Sequence, residues 1–553
     1  MRNIVSSIGG LIVSDATQAI RAWAEALGDD RVRADAETLD RYARTTQASA
    51  TRPCCVLSPL CMEEVQAIVK IASTHGIVVY PISGGKNWGY GDACAPTNGA
   101  AIVDLSSMNR ILEVNTPLAY CVIEAGVSQK QLYDHLQDNN TGLWMDVTAA
   151  GPDSSLVGNT ADRGFGHTRY GDHVLSCCGM EVVLADGRVL NTGFGHYPNS
   201  QTTHIYRYGL GPSLDGLFSQ SNYGIITKIG LWLLPEPECF IFYFFRVQQY
   251  ADLARLIDRL RPLRMSGVLQ TAIHIGNDFR VLAASGRYPW EEAKGQTPLP
   301  EELHQAMRRR GGLGPWQGTG SITGTKAHVR ATRKALKKAI GGFATVRFMD
   351  DRLMYWAGWV ERFLGLFNRG KVLGNMLHTL RQNMALLKGE PVEEPLLGVQ
   401  WRLRNPPKGE IGDPLDSGCG AYWVSPVLPM EGHHALRVME LIEPLLKRYG
   451  FDPNVSFVLL TERALVSIIS ISFDRSLEEE SARASECYEA LMDTLLGEGY
   501  YVYRCGLQGF PKIRNEESVF WEVAAQIKRT LDPKDIIARG RYLAPLPTRD
   551  DPS

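Results

Sequence analysis

The feature that most constrains this chain is the stretch Pro81-Ile-Ser-Gly-Gly-Lys-Asn-Trp-Gly-Tyr-Gly91, set directly after the apolar run Ile77-Val-Val-Tyr80. Four glycines in eleven residues after a strand-like run describe a strand that ends in a loop of exposed backbone. Without Cβ atoms, such a loop can turn successive N–H groups toward one point, and that concavity suits a pyrophosphate. The spacing is neither G-x-G-x-x-G opening a helix nor a P-loop, because no Gly-Lys-Ser/Thr follows. On these residues alone, a glycine-rich surface turn and a cofactor loop are equally good readings.

Around the loop, helix and strand signals mix without strict alternation, which predicts an α+β class rather than a doubly wound sheet. Helical spacing covers Thr17 to Leu27 and Met62 to Ser73. Short β-rich runs follow at Ala101–Leu105, Ile111–Val114 and Tyr120–Ala125, then a helix over Ser128 to Gln137. Residues Gly179 to Leu190 predict a hairpin turning at Asp186-Gly187. Pro235-Glu-Pro237 resists both helix and strand and marks a boundary. Beyond it come amphipathic helices (Tyr250–Leu260, Lys326–Ile340, His433–Tyr449), a Gly/Pro-rich passage from Gly311 to Gly324, strands at Val455–Leu460 and Ala464–Phe473, and a helix from Phe520 to Leu531. Phe240 to Phe245 has the length and composition of a buried strand.

A 553-residue chain of ordinary apolar and charged content builds two or three domains with a large core. The net charge of −2 offers no general attraction to nucleic acid or anionic membrane, and Arg308–Arg310 and Arg330–Lys338 read as solvated faces. No window is long and apolar enough to span a bilayer, and the opening Met1 to Gly10 is too short and broken for a signal peptide; both point to a cytoplasmic protein. The eleven cysteines show no metal-ligand spacing and read as buried thiols of a reducing compartment; no metal site is expected.

The glycine loop, Glu124-Ala-Gly-Val127, Gly158-Asn159, Arg163-Gly-Phe-Gly166, Tyr170-Gly-Asp172 and Asp215 to Lys228 together resemble the flavin-binding half of the vanillyl-alcohol oxidase and p-cresol methylhydroxylase family. The likeness is collinear from about Ser58 to Pro237 and resumes near the C-terminus. It implies FAD in a two-part domain of p-cresol-methylhydroxylase type (1–237 and a return over 499–553). Between these parts, 238–498 forms an inserted α+β substrate (cap) domain on an antiparallel sheet. The family also implies a homodimer or higher homo-oligomer.

Carried onto this chain, the family's phenol-gripping residues fall on Tyr90, Tyr503 and Arg504. A permanent guanidinium beside two phenolic donors favours phenolate over phenol, which drives hydride from the para benzylic carbon to flavin N5 and leaves a quinone methide. Pro81, Ile82, Ser83, Gly84, Gly85, Lys86 and Asn87 are expected near the pyrophosphate, with Gly158, Asn159, Gly164, Ile226 and Arg539 along the flavin. Glu124 and Asp172 are expected to tie loops together, and Trp88 either lines the substrate cavity or covers the ring system. Three departures stand out. The oxidase branch's aspartate near N5 is replaced by Ala149 or Ala150, leaving Asp153 either to reach back or to cap a turn. A family tyrosine becomes His167, which is a general base, a donor to the flavin or a structural histidine. Where the oxidase branch has a linking histidine, this chain has Gly418-Cys-Gly-Ala-Tyr-Trp-Val-Ser-Pro426, so a covalent bond to FAD falls to Tyr422 or, as a thioether, to Cys419; a noncovalent FAD is the alternative.

The reading is an FAD-dependent oxidase or dehydrogenase of a para-substituted phenol or larger phenolic metabolite, with oxygen or a separate electron acceptor taking the electrons. Two others remain open: an FAD enzyme of a 2-hydroxy acid or sugar alcohol, with Arg504 on the carboxylate, and a flavin-bearing electron-transfer subunit.

Overall fold

The computed structural model describes residues 16–356, 371–407, 411–515 and 517–546; the opening stretch Met1 to Gly10 lies outside them. The helix over 16–27 buries Ala19, Trp23 and Leu27, spaced by four, and the Trp23 indole N–H donates to the Ile68 carbonyl (3.2 Å) on the next long helix. That helix, Met62–His75, buries Val65, Ile68, Val69 and Ala72 along one stripe and ends where Gly76 turns left-handed (φ 67°).

The chain then enters a small four-stranded sheet. Its strands β1 (Cys55–Leu57), β2 (Val79–Ile82) and β3 (Ala101–Asp104) run parallel in the order β1-β3-β2, with Val32–Arg33 on the outer edge. A five-stranded antiparallel sheet follows: β4 (Ile111–Asn115), β5 (Tyr120–Glu124), β6 (Cys177–Val183), β7 (Val189–Asn191) and β8 (Ile225–Trp232), in the order β4-β5-β8-β6-β7. β6 and β7 form the predicted hairpin, with Gly187 at φ 83° in its turn. One core of buried Val, Ile, Leu and Ala serves both sheets. The tail closes this half: Val79 donates to the Ile536 carbonyl (2.7 Å) and accepts from Ala538 N–H (2.8 Å), so residues near 537 run beside β2.

Between these parts lies an eight-stranded antiparallel sheet. Seven of its strands are β9 (Cys239–Val247), β10 (Ile273–Asn277), β11 (Trp316–Gly324), β12 (Ala344–Met349), β13 (Cys419–Val424), β14 (Asn454–Leu459) and β15 (Ala464–Asp474), ordered β12-β9-β11-β10-β14-β15-β13; Val427–Pro429 pairs with β15. One face is apolar and covered by helices Asp252–Met265, Lys326–Ile340, Gly432–Arg448 and Glu478–Gly497, which seal Tyr243, Phe245, Ile275, Phe457, Ile469 and Phe473. Strand alternation puts His274, Thr319, Ser456, Ser470 and Trp423 on the other face.

Two elements differ from the sequence expectation. The first cap helix runs past Leu260 to Met265 with Pro262 inside it. The Gly/Pro-rich passage is not irregular, since Trp316–Gly324 is an inner strand of the cap sheet. Its glycines make room for rings on β9: a Cβ at Gly318 would lie 2.4 Å from Phe245 Cζ, and one at Gly320 would lie 2.4 Å from the Tyr243 hydroxyl oxygen. Gly318 pairs with Phe245 and Gly320 with Tyr243 across the strands.

Candidate active site

The glycine loop leaves β2 at Ile82 and crosses toward the cap. Among the described residues, the backbone N–H groups of Gly84, Gly85, Lys86, Asn87 and Trp88 find no hydrogen-bond acceptor. Five consecutive unused donors are what an anion cradle presents, and a Cβ on Gly84 would meet nothing within 4 Å. Gly85 holds φ 66°, with a Cβ there only 3.0 Å from that of Ala93. Ser83 packs on Gly158, whose added Cβ would lie 3.3 Å away. Gly158 itself sits in the short helix Leu156–Ala161, capped by Ser155. These residues fit the pyrophosphate and ribityl part of FAD.

Beyond the cradle, the loop is bolted to the cap. Lys86 pairs with Asp413 (2.9 Å), and the Trp88 indole N–H donates to the same carboxylate (3.1 Å). The Trp423 indole N–H in turn donates to the Trp88 carbonyl (2.9 Å), so Trp88 joins the two halves of the molecule. Gly89 is required here, because its Cβ would fall 2.2 Å from the Trp423 ring.

Tyr90, Tyr503 and Arg504, separated by more than four hundred residues, come together. The Arg504 guanidinium lies 4.3 Å from the Tyr90 ring centroid, and the Tyr90 hydroxyl is 3.4 Å from Ser425 Oγ. Burial raises the pKa of the Tyr90 and Tyr503 hydroxyls, which act on each other electrostatically, despite the nearby guanidinium. Both therefore stay protonated and able to donate. Phe165 packs its ring 5.5 Å from that of Tyr503.

Behind this trio is a group that the sequence reading missed. Asp162 is buried and accepts from Arg504 (2.7 Å to Nε) and Asn87 (3.2 Å) on one oxygen, and from Arg541 (2.8 Å) and Tyr542 on the other. Burial opposes its charge, but the Arg504 and Arg541 guanidiniums outweigh that and hold its pKa well below the ordinary carboxylate range. Two guanidiniums against one carboxylate leave one positive charge at the trio. Arg539 bonds Asp535 (3.2 Å) and the Lys534 carbonyl, while Arg541, two residues on, reaches Asp162 and the Tyr80 hydroxyl.

His167 packs face to face on His274 of β10 (centroids 4.5 Å apart, planes 17° apart), and its Nδ1 is 3.0 Å from the Val147 carbonyl. Burial lowers the pKa of both rings, that of His274 far more. Below them, Asp146 accepts from the backbone N–H groups of Val147, His167 and Thr168 (each 3.0 Å) and from His173 (3.2 Å), whose other nitrogen meets the Asn159 side chain (2.6 Å). Gly166 admits this packing, since its Cβ would lie 2.4 Å from the Asp146 carboxylate. Gly164 does the same beside the Asn159 amide (2.2 Å). Ile226 lies half-buried on β8, opposite Val182.

Asp153 and Tyr422 stand apart from these groups. Asp153 is exposed and neither reaches back nor caps a turn, a role that Ser155 takes. Tyr422 sits on the helix-covered face of the cap sheet against Phe473 and Tyr488 (5.5 and 5.2 Å), with its hydroxyl accepting from Ala48 N–H (2.9 Å). Its neighbour Trp423 carries the face toward the loop, so alternation turns the phenol of Tyr422 away from the other site residues. The Cys419 thiol is buried 3.2 Å from the Pro414 carbonyl, with its pKa pushed up to about 11 by burial. Glu124 pairs with Arg110 (2.7 Å) and Asp172 accepts from Leu175 N–H (3.1 Å), both loop ties as expected.

A cradle of free N–H groups, a two-sheet domain closed by its own tail and a cap over both define an FAD-linked oxidoreductase. A family model described as an FAD binding domain matches residues 53–193. A 1'-carboxy-chondrochloren decarboxylase from Chondromyces crocatus is 37% identical over 95% of this chain and 97% of its own length. The flavoprotein subunit of 4-cresol dehydrogenase [hydroxylating] from Pseudomonas putida is 30% identical over 96% of each. A crystal structure of p-cresol methylhydroxylase with substrate bound superposes with a TM-score of 0.86 at 30% identity, covering 96% of this chain and 97% of that one. The chain belongs to the vanillyl-alcohol oxidase and p-cresol methylhydroxylase family, and its cofactor is FAD.

Proposed function

We propose that the protein oxidises a para-substituted phenol, or a larger phenolic metabolite, by removing hydride from the benzylic carbon of the bound phenolate and forming a quinone methide. The observation that carries this reading is the meeting of Tyr90, Tyr503 and Arg504, two protonated hydroxyls and a guanidinium around one point. A phenolate oxygen there would accept from both hydroxyls and face the uncompensated positive charge. FAD supplies the hydride acceptor; the chain's residues bind and ionise the phenol. The 2-hydroxy acid reading is disfavoured because Arg504 already has a carboxylate partner in Asp162 (2.6 Å). The relative named for decarboxylating a 1'-carboxy substrate supports extending the class to larger, carboxylated molecules.

The same reading divides the chain into a flavin domain (1–237 with 499–553) and a substrate domain (238–498), passes electrons to oxygen or a separate acceptor, and has the chain act in the cytoplasm as a homodimer. Anaerobic mixing of the holoprotein with 4-alkylphenols, 4-hydroxybenzyl alcohols and 2-hydroxy acids tests it. Bleaching of the flavin by the phenols alone is expected. Bleaching by 2-hydroxy acids, or by none of these compounds, overturns it.

A further inference from the structure

Several buried arginines among the described residues have carboxylate or backbone-carbonyl partners. Arg402 pairs with Glu480 (2.6 Å), Arg504 and Arg541 share Asp162, and Arg264 donates to the carbonyls of Leu269, Thr271 and Leu460. Arg280, on the helix Asp278–Ser285 that follows β10, differs. Of its five guanidinium donors, one meets the Ser470 hydroxyl (3.1 Å), and no carboxylate among the described residues lies within ion-pair distance. The acid two residues before it, Asp278, is occupied by His304 (3.2 Å) and Arg308 (3.6 Å). Burial alone acts on its guanidinium, lowering its pKa to about 10, so it keeps its charge at neutral pH. Arg280 itself is half-buried and retains partial solvent access.

Its position ties it to the site. Arg280 lies over the Trp423 ring (5.9 Å to the centroid), and Trp423 bonds the Trp88 carbonyl two residues before Tyr90. In the other direction, its charge bears on His274, which stacks on His167; two residues before His167 in sequence, Phe165 packs on Tyr503. Contacts, short stretches of chain and the charge of Arg280 thus connect Arg280 and His274 to the Tyr90–Tyr503–Arg504 trio. His274 also carries a buried Nε2 with no hydrogen-bond partner. An unpaired cation and an unsatisfied imidazole nitrogen together leave an incomplete polar site.

We propose that Arg280, with His274 beside it, receives a carboxylate borne on the para side chain of the substrate. This rests on the phenol reading, because the trio must hold the other end. One guanidinium calls for one monoanion, which fits a carboxylate better than a phosphate dianion. The subsite selects 4-hydroxyphenyl acids over neutral 4-alkylphenols.

Calorimetric titration of the holoprotein with 4-hydroxycinnamate and with 4-hydroxycinnamamide separates the two ideas, since neither ligand has a saturated benzylic carbon to oxidise. The acid is expected to bind about tenfold more tightly than the isosteric amide, as one charge-assisted hydrogen bond provides. Arg280→Met should bring the ratio near one, while Arg280→Lys should keep part of it. Equal affinities in the wild-type protein, or an unchanged ratio in Arg280→Met, overturn the subsite and leave the phenol reading standing. If Arg280→Met does not fold, the wild-type ratio and that of Arg280→Lys decide. Binding of neither ligand, with no bleaching by any phenol, overturns both.

Discussion

Arg504 and Arg280 are both arginines shielded from bulk solvent, and they are built in opposite ways. Arg504 is locked onto Asp162 with Asn87, so its guanidinium is fixed before any ligand arrives. Arg280 belongs to the cap and rests on a serine hydroxyl and an indole face, with most of its donors unused. On the proposed reading, the first is preorganised for an oxygen whose charge must be stabilised during chemistry, where positional precision matters most. The second is an open valence, which on the proposed reading selects what enters.

The strongest way to break this contrast is to remove the counter-ion. Asp162→Asn should cost about 3–5 kcal/mol of stability at neutral pH, because it leaves two buried guanidiniums unpaired; chemical unfolding of the purified protein measures this. The loss depends on pH in a defined direction. Asp162 has a depressed folded pKa, so its stabilisation is fully present above the unfolded value near 3.9 and fades as pH falls from there through the folded pKa. The gap between wild type and Asp162→Asn should therefore be constant above about pH 5 and narrow below about pH 4.

A smaller effect is expected on the chemistry. Tyr503→Phe and Arg504→Lys should each slow anaerobic flavin reduction by a 4-alkylphenol by roughly 10²-fold while leaving FAD bound, since each removes a donor aimed at the phenolate. Unchanged rates would show that the trio only holds the loop. Smaller again, and of opposite sign to Asp162→Asn, Arg280→Met should raise stability by about 1 kcal/mol in the ligand-free protein, because it replaces an unpaired, half-buried charge with an apolar side chain. A loss above about 2 kcal/mol would mean that Arg280 is a structural prop. Asp153→Ala, at an exposed turn, should change stability by less than about 0.5 kcal/mol and leave flavin reduction as it is.

Local signals made much of the fold legible. Helical spacing located Met62–His75 and Lys326–Ile340, and Asp186-Gly187 located the β6–β7 hairpin. The strand Trp316–Gly324 was hidden because Gly318 and Gly320 read as loop residues, and only their partners Phe245 and Tyr243 across the sheet explain them. The trio was legible through family motifs and not through spacing, since nothing local links Tyr90 to Tyr503. Asp162 gave no signal, as an aspartate before Arg163-Gly164 looks like any helix-end residue. In Arg539-Gly-Arg-Tyr542, two arginines were on offer and only the fold distinguishes them. His274 did leave a trace: in Ile273-His-Ile-Gly-Asn277 it alternates with buried isoleucines, which sets it on the face away from the cap's apolar core.

The tail that runs beside β2 has a consequence for how the protein comes into being. Asp162 takes its partners from positions 342, 379 and 380 residues later in the chain. During synthesis, the segment around the flavin cradle must wait through the whole cap sheet before Arg504, Arg541 and Tyr542 emerge. Closure of so long a loop is slow. The last stretch of chain thus acts as a latch: cofactor capture is expected to follow its docking, and a ribosome-bound chain lacking it should hold no flavin.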